Sequence, residues 1–504
     1  MPKIKKGSLF LAVLFVILYL SSFYPFNIYL FAPISFFILF LFLKHCDTKI
    51  FLKGLLLFYP FYAFHTFWIL HLQTEPGVEK YLIMGLLLLP LYLSLYPAIF
   101  LIGVKKYLDK EWGFIFIPSL WVILEYIKSQ GPLGFPWMNL YYSQLESTTI
   151  LSLASFLGPY FISFIIVLTG YLFYIVWERP NKKHIWSTAI LLFIVILTGN
   201  ILKMNLKRLK EQSKEHIRIG ILQPNILPKN IYDPKEWLQT RDSLIYLSKK
   251  IQPYSVQLIV LSESAIPGYF RYSFRAQKLI EEIEHITGAS ILFGTQDKRN
   301  QNGTYRIFNT AMLFSHGHVV DLYDKHHLVP FGEWLPYQDK LPSPLNKINL
   351  GWGDFWPGRI KTVDFNNHKM GILICFESIF PEIARKLAKM GAKILFVITN
   401  DGWFGKSNGP LEHFQMSRLL AVETGRYVVR SAKTGVSCII SPEGKVLKKL
   451  PLFTKGLITC DVPLVKRNTI YTDIGDVIVF ISFLIVLVFL VYNNFYTLRK
   501  RRHN

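Results

Sequence analysis

Residues 371–390 read GILICFESIFPEIARKLAKM. A short apolar run ends at Cys375, and the residues after it repeat their apolar positions at helical spacing. A short buried strand followed by an amphipathic helix is typical of a layered α/β domain, which we therefore predict over residues 215–466. Four other apolar runs in this region end in the same way: IRIGIL before Gln223, VQLIVLS before Glu263, ILFG before Thr295 and ILFVIT before Asn400.

Chemically versatile side chains come directly after several of these runs. Glu263 and Cys375 each follow one, and Asn400 and Asp401 follow a third. Lys325 follows another strand-like run, HVVDLYD. Because functional sites in open α/β sheets collect at the carboxyl ends of the strands, we predict a site that contains these side chains.

A carboxylate, an amine and a thiol are sufficient for nucleophilic catalysis without a histidine. Glu263 would take the thiol proton of Cys375, and Lys325 would stabilise both a thiolate and an oxyanion. A helix start within residues 378–382 is expected to favour the thiolate further through its amide dipoles. Each residue alone has a structural alternative: an inert core cysteine, a helix-capping glutamate and a solvated surface lysine.

Eight further apolar segments predict membrane-spanning helices. They lie at about residues 8–24, 28–44, 53–71, 82–104, 113–127, 149–177, 185–202 and 475–493. Lysine and arginine concentrate in alternate connections and in the C-terminal tail, so the positive-inside rule places both termini in the cytoplasm. We predict three parts: a transmembrane domain of about seven helices at 1–203, an extracytoplasmic domain at 215–466, and a final helix with a basic tail at 474–504.

Composition excludes several classes of protein. With 51% hydrophobic residues, the chain of 504 residues is not intrinsically disordered, and four cysteines are too few for a disulfide-stapled module. The net charge of +23 lies mostly between apolar segments, so we expect a membrane setting and no nucleic acid. Neither a phosphate-binding glycine loop nor zinc-ligand spacing around His326 and His327 occurs in the sequence. We expect no metal, no cofactor and a monomer.

Three blocks of the sequence resemble one family. YDKHHLVPFGEWLP, ICFESIFPE and NDGWFGKSNGPLEHFQMSRLLAVETGR are similar to signature blocks of the bacterial apolipoprotein N-acyltransferases, membrane members of the nitrilase superfamily. SLWVILEYIKSQGPLGFPWMNLYYSQ resembles that family's stretch between its fifth and sixth membrane segments. The resemblance implies an α-helical membrane domain of about eight transmembrane helices. It also implies a nitrilase-like αββα sandwich on the periplasmic face of the bacterial inner membrane.

The resemblance also assigns roles to residues. It implies that Glu263 is the general base, Lys325 the oxyanion and charge stabiliser, and Cys375 the acyl-accepting nucleophile. Supporting or substrate-binding roles are implied for seven more residues: Glu333, Glu377, Phe376, Tyr232, Asn309, Trp403 and Phe404. Trp403 and Phe404 belong to a wider aromatic group that would suit an interfacial entrance and that also includes Trp334, Trp352, Phe355 and Trp356.

The sequence departs from the family pattern beside these residues. Phe376 stands where tyrosine is common, and Tyr232 stands where tryptophan is typical. Ser262-Glu263-Ser264-Ala265 replaces Pro-Glu-Thr-Ala around the predicted base. All three residues of the predicted triad are present. The departures at Phe376 and Tyr232 affect side chains that the resemblance places in contact with the substrate.

The family reaction runs in two steps. The cysteine takes a fatty acyl chain from a phospholipid as a thioester, and the amine of a diacylglyceryl-cysteine lipoprotein then attacks that thioester. Two alternatives remain open at this point: a membrane-anchored amide hydrolase, and a catalytically silent paralogue that binds lipid or lipoprotein. The eight apolar segments argue against the first, and the intact triad argues against the second.

Overall fold

The computed structural model describes residues 6–74, 77, 79–213, 215–227, 234–301, 303–340, 342 and 354–502. Two residues named above, Tyr232 and Trp352, lie outside these ranges. The chain divides into two compact units. The first comprises Met1–Phe67, Met84–Lys203 and Ile474–Asn504, and the second comprises Trp68–Ile83 and Met204–Asp473.

Helices and strands alternate in the second unit, whereas the first unit is helical. The α-helices of the described residues are α1 (Lys6–Ser21), α2 (Phe31–Lys44), α3 (Ile50–His65), α4 (Glu79–Tyr107), α5 (Gly113–Lys128), α6 (Thr148–Leu151), α7 (Ala154–Leu157), α8 (Pro159–Glu178), α9 (Lys182–Gln212), α10 (Pro234–Ile251), α11 (Phe274–Thr287), α12 (Pro381–Lys389), α13 (Gly409–Thr424), α14 (Ile470–Ile474) and α15 (Val477–Arg502). The strands are β1 (His216–Gln223), β2 (Leu258–Val260), β3 (Ser290–Gln301), β4 (Thr304–Ser315), β5 (His318–Asp324), β6 (Val363–Phe365), β7 (His368–Ile374), β8 (Ile394–Thr399), β9 (Val428–Ala432), β10 (Ser437–Ile440), β11 (Val446–Leu450) and β12 (Gly456–Pro463).

The helical part of the chain has the properties of a membrane domain. Within the described residues, four helical segments are long and apolar enough to cross a membrane: Ile50–His71, Glu79–Tyr107, Pro159–Glu178 and Lys182–Leu209. Shorter apolar helices accompany them at Gly7–Ser21, Phe31–Lys44, Thr148–Leu157 and Val477–Asn493. Large apolar side chains such as Phe10, Leu56 and Phe193 are exposed on their surfaces, as expected for contact with lipid.

The sixth predicted apolar segment, residues 149–177, is not one continuous helix. It is divided into the short helices α6 and α7 and the longer helix α8. Gly158 has a φ of +83° and directly precedes Pro159, the first residue of α8. Proline suits the first position of a helix, and it disfavours helical geometry in the residue before it, so the apolar run is broken at this point.

Two six-stranded sheets form the second unit. The first has the order β12-β1-β2-β3-β4-β5 and the second the order β11-β10-β9-β8-β7-β6. Three neighbouring strands are parallel in each sheet, β1-β2-β3 in one and β7-β8-β9 in the other, and the outer strands are antiparallel. The predicted α/β organisation is therefore confirmed, and β2, β7 and β8 occupy parallel positions as their apolar sequences indicated.

Amphipathic helices cover these sheets. Helices α10 and α11 contact strands of the first sheet, and α12 and α13 contact strands of the second. Helix α11 buries Ala276, Leu279, Ile280 and Ile283, which recur at three- and four-residue spacing and therefore lie on one face. Between the sheets, the Ser431 hydroxyl donates to the Val260 carbonyl at 3.1 Å. Polar residues that follow β2, β5 and β7 are thereby brought into one region.

Candidate active site

The two sheets bring Glu263, Lys325 and Cys375 together. Glu263 lies three residues after β2, Lys325 directly after β5 and Cys375 directly after β7. Only 4% of Glu263, 1% of Lys325 and 9% of Cys375 is exposed. The Lys325 Nζ atom lies 3.5 Å from Glu263 Oε1, and both charges act on the Cys375 thiol. The surface-lysine alternative for Lys325 is therefore wrong.

Glu263 is fixed through both of its carboxylate oxygens. Its Oε1 accepts a hydrogen bond from Asn309 Nδ2 at 2.8 Å, and its Oε2 accepts one from the Asn400 amide at 2.9 Å. Gly294 lies directly behind this residue, and a Cβ atom at that position would be 2.6 Å from Glu263 Cα. The two hydrogen bonds and the close approach of Gly294 hold the Glu263 carboxylate in an orientation that faces Lys325.

Lys325 is held as a cation by two carboxylates. Its Nζ donates to Glu333 Oε1 at 2.8 Å, and the same oxygen accepts from Asn309 Nδ2 at 2.9 Å. Glu333 Oε2 accepts from the Val329 amide at 2.8 Å. Burial by itself would lower the pKa of Lys325, but Glu333 and Glu263 raise it above its usual value. Lys325 therefore remains protonated at neutral pH.

Cys375 has a left-handed backbone, with φ of +51°, at the start of a 3-10 turn that spans Cys375–Ile379. Such a conformation is uncommon for a residue other than glycine and often occurs at functional sites. Burial and the Glu263 carboxylate raise the pKa of the thiol, and Lys325 only partly opposes them. These influences favour the neutral thiol in the resting site, and the expected contribution of the helix start stays a prediction. The α-helix begins at Pro381, within the predicted stretch 378–382.

Glu377 connects the cysteine turn to the lysine loop. Its Oε2 accepts from the Ile374 amide at 2.7 Å. Its Oε1 accepts from the Tyr323 hydroxyl at 2.8 Å and from the His326 amide at 2.7 Å. Glu377 is completely buried, and burial raises its pKa. The side chain therefore positions the segments that carry Cys375 and Lys325.

A second buried polar group lies behind Cys375. The His413 ring contacts Asp401 Oδ1 through Nδ1 at 2.8 Å and the Ser378 hydroxyl through Nε2 at 2.8 Å. Ser378 in turn donates to the Cys375 carbonyl at 2.8 Å. Arg430 Nη2 donates to Asp401 Oδ2 at 2.8 Å. This Asp401–His413–Arg430 cluster supports the strained turn of the nucleophile.

The surroundings of this cluster lower the pKa of both Asp401 and His413. Burial by itself would raise the pKa of Asp401, but Arg430 and His413 lower it to about 2, so it stays ionised. Burial and Arg430 lower the pKa of His413, which favours the neutral ring. Sequence reasoning named Asp401 but missed His413, Ser378 and Arg430. The signal at Arg430 was a charged residue inside the apolar run YVVRSA, since a buried charge requires a partner.

The aromatic residues named from the sequence differ in their contacts and burial. Phe376 packs edge-on against Phe380, with ring centroids 5.1 Å apart. Trp403 and Phe404 are half-buried at the end of a 3-10 turn that spans Asp401–Phe404. The Trp403 carbonyl accepts from the Gln73 amide at 2.9 Å, and the Phe404 ring lies edge-on to Trp68 at 4.9 Å. No feature of the sequence indicated this contact with residues 68–73.

The remaining aromatic residues of the predicted entrance also differ in burial. Phe355 is buried and Trp334 is half-buried. Trp356 is 43% exposed, with the Arg306 guanidinium 3.8 Å from its ring centroid. Within the part of the chain that the structure describes, no cluster of histidine, cysteine, aspartate and glutamate side chains could hold a metal ion.

Two family profiles match the chain. The profile described as "Carbon-nitrogen hydrolase" matches residues 218–470. The profile described as "Apolipoprotein N-acyltransferase N-terminal domain" matches residues 16–172. The first match contains all three residues of the predicted triad, and the second lies in the helical part of the chain.

Curated relatives are similar over most of the chain. The apolipoprotein N-acyltransferase of Geobacter metallireducens is 33% identical over 434 residues, which cover 82% of this chain and 81% of that protein. The enzyme of the same name from Wigglesworthia glossinidia brevipalpis is 30% identical over 491 residues, which cover 93% and 94%. Among solved structures, a carbon-nitrogen hydrolase from Helicobacter pylori G27 is similar over 52% of this chain and 94% of its own, with 17% identity and a TM-score of 0.40. On the evidence of the two profiles and the curated relatives, the chain belongs to the apolipoprotein N-acyltransferase family, a family of acyltransferase enzymes.

Proposed function

We propose that this protein transfers a fatty acyl chain from a phospholipid to the N-terminal amine of diacylglyceryl-cysteine apolipoproteins, through a thioester on Cys375. The observation that carries the proposal is the buried group of Cys375, Glu263 and Lys325 in a chain of this family. A thiol suits the role because a thioester forms from an ester and is then readily cleaved by an amine.

The first step acylates the cysteine. As Cys375 Sγ attacks the ester carbonyl of the phospholipid, its proton passes to Glu263, and the negative charge on the carbonyl oxygen develops beside the Lys325 ammonium. The carbon–oxygen bond of the ester then breaks. The lysophospholipid oxygen takes the proton from Glu263, so this residue is again a carboxylate when the thioester is complete.

The second step transfers the acyl chain. The free amine of the lipoprotein attacks the thioester carbonyl and gives its proton to Glu263. The carbon–sulfur bond breaks, and the thiolate recovers that proton. The raised thiol pKa supports this cycle because it favours a neutral thiol between turnovers, and the thiolate is needed only during the steps that consume or release it.

The proposal includes a cellular setting. We place about eight helices across the bacterial inner membrane, with residues 1–203 and 474–504 as the transmembrane parts and both termini in the cytoplasm. The αββα domain of residues 215–466 faces the periplasm, where the apolipoproteins with a free N-terminal amine are located. The four long and several shorter apolar helices and the alternation of basic connections support this arrangement. We also propose a monomer, because one chain supplies every predicted catalytic residue.

Mass spectrometry of the detergent-purified protein tests the acyl donor and the nucleophile together. After incubation with phospholipid alone, the Cys375 peptide should carry a fatty acyl mass that hydroxylamine removes. Cys375→Ser should insert and fold but form no such adduct and support no transfer, because an alkoxide is not available at the working pH. If the wild-type protein forms no adduct while its Cys375 still reacts with thiol reagents, that result would contradict the proposal and favour an amide hydrolase.

A further inference from the structure

A cavity of about 460 Å³ in the second unit has a strongly basic lining. Its wall consists of His326, Arg359, Ile360, Arg385, Lys386, Lys389 and Met390. Four of these seven side chains are permanently cationic, and none of the seven carries a carboxylate. Such a lining favours an anion with several oxygen atoms, since arginine and lysine both bind phosphate groups well.

The cations of this wall come from separate segments of the chain. Arg385, Lys386 and Lys389 lie on α12, whereas Arg359 comes from the loop that precedes β6. Two lysines in the last turn of a helix are accounted for by the helix dipole, but the dipole does not account for Arg359 or Arg385. Their convergence on one cavity indicates a binding site.

The contacts of the helix cations leave their charge available. Arg385 Nη1 donates to the Thr472 carbonyl at 3.4 Å, and Lys389 Nζ donates to the Asp473 carbonyl at 3.2 Å. These partners are neutral carbonyls, so the positive charges are oriented without being cancelled. The Nε atom of Arg385 is buried and has no hydrogen-bond partner among the described residues. A bound anion would satisfy this donor.

The cavity lies on the other side of the lysine loop from the predicted triad. The Lys325 side chain contacts Glu263 and Glu333, whereas the next side chain, His326, lines the cavity. The His326 ring donates through Nδ1 to the Gly358 carbonyl at 2.9 Å, which orients its other nitrogen away from that carbonyl. A ligand here would therefore contact neither the thiol nor its predicted base.

We propose that this cavity binds the phosphoryl group of an anionic phospholipid headgroup. A lipid fits better than free phosphate because Met390, which is 44% exposed, and Ile360 add apolar surface beside the cations. The carbonyls that hold Arg385 and Lys389 belong to α14, and the chain passes from α14 directly into the apolar helix α15. The proposal does not depend on the acyl-transfer chemistry.

Native mass spectrometry of the full-length protein in detergent tests the site. The probe is an equimolar mixture of phosphatidylglycerol and phosphatidylcholine. Wild type should retain phosphatidylglycerol preferentially, and Arg385→Gln/Lys389→Gln should weaken that retention roughly tenfold, because each cation near a lipid surface contributes to anion binding. The matched control is Lys249→Gln/Lys250→Gln, which removes two exposed lysines from the last turn of α10. This control should behave as wild type.

Equal retention by wild type and the Arg385/Lys389 variant would overturn the proposal, as would an equal loss in the α10 control. If the α12 variant does not fold, Arg359→Gln decides, because Arg359 is exposed and lies on a different segment. Inorganic phosphate is tested separately by thermal unfolding. A stabilisation by phosphate that the variants abolish, without selective retention of phosphatidylglycerol, would assign the cavity to a free phosphate group and overturn the lipid assignment.

Discussion

The Nδ2 atom of Asn309 lies 2.8 Å from Oε1 of Glu263. The same nitrogen lies 2.9 Å from Oε1 of Glu333, so one neutral amide holds two carboxylates that both face Lys325. An amide separates these anions without adding charge, and it has no proton to lose at neutral pH. Asn309 therefore adds no further negative charge beside the predicted base, and two carboxylates face the one Lys325 cation.

Asn309→Asp should disturb that balance. A third carboxylate would stand between Glu263 and Glu333, and neighbouring carboxylates cannot all remain ionised at such distances. We expect acylation of Cys375 by phospholipid to slow by roughly 10²- to 10⁴-fold, the range that a general base contributes. The rate of adduct formation by mass spectrometry measures this effect. Asn300→Asp, at an exposed position on β3, should retain the wild-type rate, and equal rates for both variants would contradict the prediction.

Lys325→Met should damage both stability and activity. Removing the cation leaves Glu263 and Glu333 buried without their counter-charge, which typically costs about 3–5 kcal/mol in the free energy of unfolding. Adding Glu333→Gln should recover part of that stability, because it removes one of the stranded anions. Adduct formation should stay absent in the double variant, since no cation faces the oxyanion. Recovery of activity in the double variant would show that Lys325 has only a structural role.

The Cys375 thiol should be poorly reactive in the resting protein. Burial and Glu263 raise its pKa, so at pH 7.4 the thiolate fraction is smaller than in an ordinary cysteine. Alkylation by iodoacetamide should therefore be slower than that of glutathione at the same pH and should accelerate as the pH rises. Peptide mass spectrometry resolves Cys375 from the other three cysteines. A rate that is already maximal at pH 7.4 would indicate a stable thiolate.

The ionised Asp401 carboxylate should stabilise the folded protein at neutral pH and lose this effect only in acid. Its pKa is lowered from 3.8 to about 2, so its contribution is complete above pH 4 and is lost as the pH falls towards 2. The shift corresponds to about 2 kcal/mol. Unfolding titrations from pH 2 to 7 should show a flatter acid limb in Asp401→Asn than in wild type. Asp461→Asn is the control: its pKa is lowered by Arg218, but it is exposed and its charge is screened by solvent.

Gly294→Ala should reduce activity through the backbone of Glu263. The added Cβ would lie 2.6 Å from Glu263 Cα and 2.8 Å from the Ser262 carbonyl oxygen, so either β3 or the segment after β2 must shift. We expect a loss of roughly 10- to 100-fold in adduct formation, since misplacing a catalytic group by about 1 Å has effects of this size. Gly7→Ala is the control and should retain the wild-type rate, because outside its own helix the described residues place no atom within 4 Å of the new Cβ.

Strand ends were the part of the site that the sequence indicated best. Glu263, Lys325, Cys375, Asn400 and Asp401 each follow a strand-like run, and the structure brings all five into the candidate site or the cluster behind it. This succeeded because buried strands have continuous apolar sequences and because chemistry collects where they end.

The sequence did not reveal how those side chains are paired. Neither the contact of His413 with Asp401 nor that of residues 68–73 with the Trp403 loop follows from spacing, because both depend on tertiary packing between distant segments. For the Cys375 thiol, sequence reasoning considered Lys325 and a helix start but did not weigh burial, which together with Glu263 raises its pKa. The break at Gly158-Pro159 was present in the sequence but was masked by the high hydrophobicity around it.

Glu377 joins strand ends from both sheets, since it accepts from the Ile374 amide at the end of β7 and from the His326 amide after β5. The predicted lysine and nucleophile therefore acquire their relative positions only after the two sheets have docked. Docking of the two sheets is therefore the folding step that completes the predicted site.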